Sequence, residues 1–304
     1  MSKFDGIKEC FVCNKNLKWY NYIIKLLGEK IKTEEKEVTT LKSKNLIPET
    51  PAKKERKWWF KCIKKLMKGR YKEPIFVYLG DKFTAGNIIL SNHEGTDAPM
   101  SLEIWNDSPT RMWGAHEMNS GLIKMYKYQT RVYYHEKKHW NLHLARLFCL
   151  IASPLTNLFY KGLNLISTYH DQRFFKTIKE SLEAIRKGEN IVIYPENSEK
   201  GYLAELEGFY GGFLTLAEMS YRQGMDVSIY VTYFKKSERI YVVDKPIKYS
   251  ELIKGNPSKE EVMNKLLTRC NELGKMTFTN EELEPFKTET YKAKEAKLNK
   301  KNKK

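Results

Sequence analysis

Apolar residues occur along this chain in short runs closed by polar turns, and longer stretches with an apolar residue every third or fourth position lie between them. Runs of strand length, rich in Ile, Val and Tyr, fall at 75–79, 87–91, 112–115, 163–167, 190–194, 227–234 and 240–243. Helical spacing falls between most of them, at 99–105, 142–160, 174–186 and 212–222. Strands alternating with helices predict an α/β fold, a largely parallel or mixed central sheet flanked by helices. No internal repeat interrupts the alternation.

The flanks read differently. Residues 1–72 form an N-terminal helical and linker region, 73–250 the α/β domain, 251–286 a C-terminal helical extension and 287–304 a Lys-rich tail expected to be flexible. Within the first, 53–72 places Trp58, Trp59, Cys62, Ile63, Leu66 and Met67 at helical spacing among Lys and Arg. This predicts a basic amphipathic helix that lies on an anionic membrane, packs on the domain, or does both. A second short helix is predicted over Trp19–Leu27, then a charged stretch over 30–44 and a linker around Pro48 and Pro51.

Charge narrows the partners. The 304 residues carry 54 Lys and Arg against 37 Asp and Glu, a net +17, which draws the chain to something anionic. The basic residues concentrate at the two ends, and the core lacks base-stacking aromatics or a helix-turn-helix pattern, so a membrane surface fits better than nucleic acid. No stretch reaches the roughly 20 uninterrupted apolar residues of a spanning helix; the nearest, 144–159, contains Arg146, Ser153, Pro154, Thr156 and Asn157 and reads as buried or interfacial. Five scattered cysteines predict a reducing, cytoplasmic setting, with the Cys10–Cys13 pair lacking the partners of a zinc site.

Two segments carry candidate chemistry. In Ile88–Pro99 an apolar run ends at Ser91 and Asn92 and is followed by His93 and Asp97. Were a helix to begin near His93, positions i and i+4 would share a face. The Asp97 carboxylate would then accept the Nδ1 proton and leave Nε2 as a base toward a hydroxyl. In Asn190–Gly201 an apolar run enters Pro195 and Glu196 and then a polar turn with Ser198, Lys200 and Gly201. At the carboxyl end of a parallel strand such a turn borders the crevice where open sheets bind ligands. Lys200 there can pair with a phosphate, and Glu196 can anchor the turn or a glycerol hydroxyl. The sequence His93-Glu94 does not continue into a zinc motif, because Asp97 stands where a second His is needed.

Taken together, residues from about 75 to 234 resemble the PlsC-like glycerolphosphate and lysophosphatidic acid acyltransferases. The resemblance rests on Asn92, His93 and Asp97, then on Gly162–Thr168, then on Glu183–Glu196, and lastly on the F-Y-G-G-F-L-T-L-A-E of Phe209–Glu218. It implies a glycerol-3-phosphate acyltransferase-like fold over 73–250 and transfer of a fatty-acyl group from acyl-CoA or acyl carrier protein to a lysophospholipid hydroxyl. It also implies His93 and Asp97 as the catalytic pair, and Asn92, Thr96, Arg173, Glu196, Ser198 and Lys200 at the substrate. No metal or organic cofactor is implied, and the expected place is the cytoplasmic face of a membrane, peripherally bound. Three residues rather than four separate His93 from Asp97, and Asn197 and Glu199 stand where the family has Gly and Arg. His116 and Lys124 are further candidates for lining the acceptor pocket. A lipid-binding member of the same fold without turnover is the competing reading.

Overall fold

The computed structural model of the chain describes residues 46–49, 55–197 and 203–302. The Cys10–Cys13 pair, the helix predicted over Trp19–Leu27, the 30–44 stretch, Pro51, Ser198, Lys200 and Gly201 lie outside them. In order, the elements are α1 (Trp58–Met67), β1 (Ile75–Tyr78), β2 (Ile88–Ser91), α2 (Asp97–Trp105), β3 (Thr110–Ala115), α3 (His116–Asn119) and α4 (Leu122–Tyr128). A π-helical stretch, Gln129–Lys137, leads to α5 (Leu142–Leu163), β4 (Ile166–Thr168), α6 (Phe174–Arg186), β5 (Asn190–Ile193), α7 (Gly212–Arg222), β6 (Ser228–Lys235) and β7 (Ile240–Val243). Then come β8 (Ile247–Lys248), α8 (Tyr249–Leu252), α9 (Lys259–Lys275), α10 (Asn280–Leu283) and α11 (Glu289–Asn302).

The strands form one mixed, mostly parallel sheet in the order β1-β7-β6-β2-β5-β3-β4, with β8 beside the start of β6. Strands β2 to β6 run the same way, while β7 is antiparallel to β6 and carries β1 parallel to itself. Period-two alternation therefore builds two cores. Ile88, Leu90, Ile191, Ile193, Ile229 and Val231 face one side, under α6, α7 and α9. Ile89, Val192, Tyr230, Phe234 and Tyr241 face the other, under α1, α2 and the end of α5. Both faces of β2 and β5 are buried throughout, as expected of strands covered by helices on both sides.

Three expectations change, two of them about the flanks. Helix α9 sends Val262, Leu266, Cys270 and Leu273 into the first core, so residue 250 is not a boundary and the extension completes the domain. The segment read as a flexible tail forms α11, because the buried Glu73 carboxylate takes bonds from Thr288 Oγ1 and Lys294 Nζ while Tyr291 packs on the core. The apolar run at 163–167 is divided, Leu163 ending α5 and Ile166 opening β4. Within the predicted 53–72 segment helix α1 covers Trp58–Met67, with Phe60 buried and Trp59, Ile63 and Met67 against the second core.

Candidate functional site

The carboxyl ends of parallel strands β2, β5, β3, β4 and β6 lie along one edge of the sheet, and the two motifs meet there because β2 and β5 are neighbours. Beyond Ser91 the chain passes Asn92 and His93 and turns through Glu94 and Gly95 in left-handed backbone (φ 41° and 64°) before α2 starts. Beyond Ile193 it passes Tyr194 and Pro195 to Glu196. The Glu196 carboxylate, through Oε2, accepts the backbone N–H of His93 at 2.9 Å. Tyr194 places its ring 5.0 Å from the His93 ring, centroid to centroid. One carboxylate and one phenol ring from the second motif thus hold the histidine of the first.

Glu196 is buried at 7% exposure. Burial pushes its carboxyl above the ordinary carboxylate value, against the opposing pull of the His93 N–H. Its turn is closed at the base by the F-Y-G-G segment: Glu196 bridges Phe209, the Asn197 amide donates to Gly208 O, and the Tyr210 amide donates to Pro195 O. The third and fourth segments of the resemblance are therefore one substructure.

Asp97 sits differently from expectation. Helix α2 begins at Asp97 rather than near His93, so the two residues do not share a helical face. The hydrogen bonds and ion pairs of its carboxylate go to Lys236 Nζ (2.8 Å) and Arg70 Nη1 (3.4 Å). The left-handed turn at Glu94 and Gly95 is what redirects it, and the carboxylate in turn raises the pKa of Lys236.

Asn92, expected at the substrate, is 1% exposed and joins strands instead. Its Nδ2 donates to Phe234 O (3.1 Å) and its Oδ1 accepts the Phe234 N–H (2.6 Å). Thr96 is exposed, its hydroxyl taking a bond from Tyr71 OH at 3.2 Å. Arg173 lies past the end of β4, three strand spacings or about 14 Å from β2. It grips Asp171 through Nη2 at 2.7 Å and covers the Tyr169 ring, holding the Asp171 carboxyl down at about 2. His116, past β3, contacts Glu117 at 3.2 Å and the Tyr169 ring, so it belongs with Arg173 rather than with His93. Lys124 is exposed on α4.

Lys236, Arg70 and Tyr194 reach the site without having been singled out from sequence. Tyr194 adjoins a motif that was read, whereas Lys236 and Arg70 arrive from the ends of β6 and α1 and depend on the strand order. Two surface grooves lie elsewhere. An apolar one of about 540 Å³ is lined by Trp140, Leu144, Leu147, Phe148 and Ile151, and a basic one of about 670 Å³ by Arg56, Lys61, Lys64, Lys65 and Lys68. Against known proteins, the chain matches no family model and no curated protein.

Proposed function

We propose that this protein is an O-acyltransferase that moves a fatty-acyl group from a thioester, acyl-CoA or acyl carrier protein, to the hydroxyl of a lysophospholipid, with His93 as general base. The observation that carries the reading is the bond from the His93 N–H to Glu196, which unites two motifs remote in sequence at the carboxyl edge of the sheet. Nδ1 of the half-buried His93 ring is shielded from solvent, which leaves Nε2 to take the hydroxyl proton. The alkoxide oxygen then attacks the thioester carbonyl. The tetrahedral intermediate collapses with loss of the thiolate, which takes the proton from the imidazolium and leaves as thiol.

Lys236 and Arg70 stand where the acceptor's phosphate has cations to meet, in place of the family arginine that this chain lacks. A phosphate bound there competes with Asp97 for both cations. The pairing of Asp97 with two cations also favours a second reading, a lipid-binding member of the fold without turnover.

The test is incubation of the purified chain with lysophosphatidate and radiolabelled acyl-CoA or acyl carrier protein. Phosphatidate is expected, with a loss of about 100-fold or more in His93→Ala. In Lys236→Ala, KM should rise for lysophosphatidate and stay unchanged for an acceptor without phosphate. Lysolipid binding with no product from either donor selects the second reading, and product formation that survives His93→Ala overturns the first.

A further inference from the structure

The long helix α5 turns a narrow stripe toward the protein, Ala145, Cys149, Ser153, Gly162 and Leu163. Its other sides are apolar and open: Leu147, Leu150, Ile151 and Leu155 are 66–72% exposed, and Ile123 on the adjoining α4 is 72% exposed. A contiguous apolar surface of this kind marks a contact face. Among the described residues, α5 is the one helix long and apolar enough to cross a membrane by length and composition. Crossing is at odds with its connections, because the segment from α3 to α5 links β3 to β4, neighbours in the same sheet, and packs along its way on α1, α3 and α4. A helix so tied lies along a bilayer rather than through it.

We propose that the exposed face of α4 and α5 is the surface by which the protein enters one leaflet of an anionic membrane. Charge and aromatic placement select that occupant. Residues 120–163 carry Lys124, Lys127, Arg131, Lys137, Lys138, Arg146 and Lys161 against one acidic residue, Glu136. Between Arg146 and Lys161 no side chain is charged, so these two cations bound an uncharged strip about 22 Å long at 1.5 Å per residue. Lys and Arg so placed rest their stems on apolar surface and their heads among lipid phosphates. At one end Trp140 packs its ring on Tyr134 and Phe148 (4.8 and 5.5 Å), with Tyr133 edge-on to Tyr134. That is the amphipathic aromatic composition of a membrane interface. A protein partner would not require this basic excess, and a second copy would set like charges against each other.

The expectation from sequence assigned membrane contact to the basic helix around Trp58. Trp59, Ile63 and Met67 of that helix pack on the second core, and Arg56 and Lys64 pair with the buried Glu103, while Trp58 and Leu66 stay open at 77% and 82% exposure. The wider open apolar face is that of the β3–β4 connection, where Ile123, Leu147, Leu150, Ile151 and Leu155 are 66–72% exposed, and the open side chains of the Trp58 helix are secondary to it.

This face suits the acyl-transfer reading, on which it depends for purpose, but its test reads binding alone. The full chain is sedimented with phosphatidylcholine vesicles with and without phosphatidylglycerol. It is expected to pellet with the anionic vesicles, and Ile151→Asp combined with Leu155→Asp should lower binding at least about tenfold. Both sites are open to solvent, so the variant's thermal unfolding should match the parent's. His93→Ala should bind as the parent does, which separates loss of chemistry from loss of docking. Three results would overturn the proposal: no pelleting of the parent, equal pelleting of the double variant, or a parent dimer in light scattering that the double variant dissolves without any vesicle binding.

Discussion

Both ends of the Asn92 amide are taken up by the backbone of Phe234, so the residue before His93 is riveted to β6. Asn92→Ala leaves a buried N–H and a buried C=O without these partners, at a cost of about 2 kcal/mol or more; urea unfolding measures it. Glu196 raises a question of sign. Burial lifts its folded pKa above the ordinary 4.5, so the folded state gives up the proton less readily than the unfolded chain. Its contribution to stability is then most favourable below the unfolded pKa and declines as pH rises through the folded one. Glu196→Gln keeps an oxygen for the His93 N–H but cannot ionise, so melting temperatures should fall less for the variant than for the parent as pH rises from about 4.5. A steeper fall in the variant would contradict this. The residues around His93 and Glu196 were legible because each follows a strand whose apolar run is unmistakable. The Asp97 partners were not, since no spacing in the chain encodes a left-handed turn at Glu94 or brings Lys236 and Arg70 together.

At the level of elements, α1 is held by a buried charge cluster and by a socket. The Glu103 carboxylate is 1% exposed and pairs with Arg56 (3.1 Å) and Lys64 (3.0 Å), two residues spaced along one side of the helix region. Glu103→Ala takes the carboxylate from both cations, leaving Arg56 the Thr110 carbonyl and Lys64 the carbonyl of residue 103, and should destabilise the protein by about 3 kcal/mol, with faster proteolysis within 57–68. The socket is Gly162 on α5, where an added Cβ would stand 2.1 Å from the Phe60 ring. Gly162→Ala favours the helix by propensity yet displaces Phe60. A lowered melting temperature is expected, rescued in part by Phe60→Leu. Periodicity found α2, α6, α7 and β7 close to their observed limits, but not which face of α5 would be covered. Its apolar residues lie nearly all round, and such a helix reads equally as buried or as lipid-facing.

For the molecule as a whole, the sheet order decides what depends on what. The first core is shared by α6, α7 and α9, so a chain cut after residue 250 should be insoluble or unfolded, whereas one cut after 286 loses the α11 contacts with Glu73 and the packing of Tyr291 at the core's margin and should fold with a lower melting temperature. Circular dichroism on the two truncations tests this. The α/β class was readable from alternation alone. The inclusion of α9 was not, because a helix supplying four core residues has the same pattern whether it closes this core or another.

The β3–β4 connection leaves the sheet at the edge that also bears His93 and then presents the open side of α5. A chain resting on a leaflet by that side meets its acceptor by diffusion in a plane. Turnover would then follow the fraction of lipid molecules that are acceptor rather than their molarity in the tube, and inert lipid added at constant acceptor would slow the reaction by spreading the acceptor over more area.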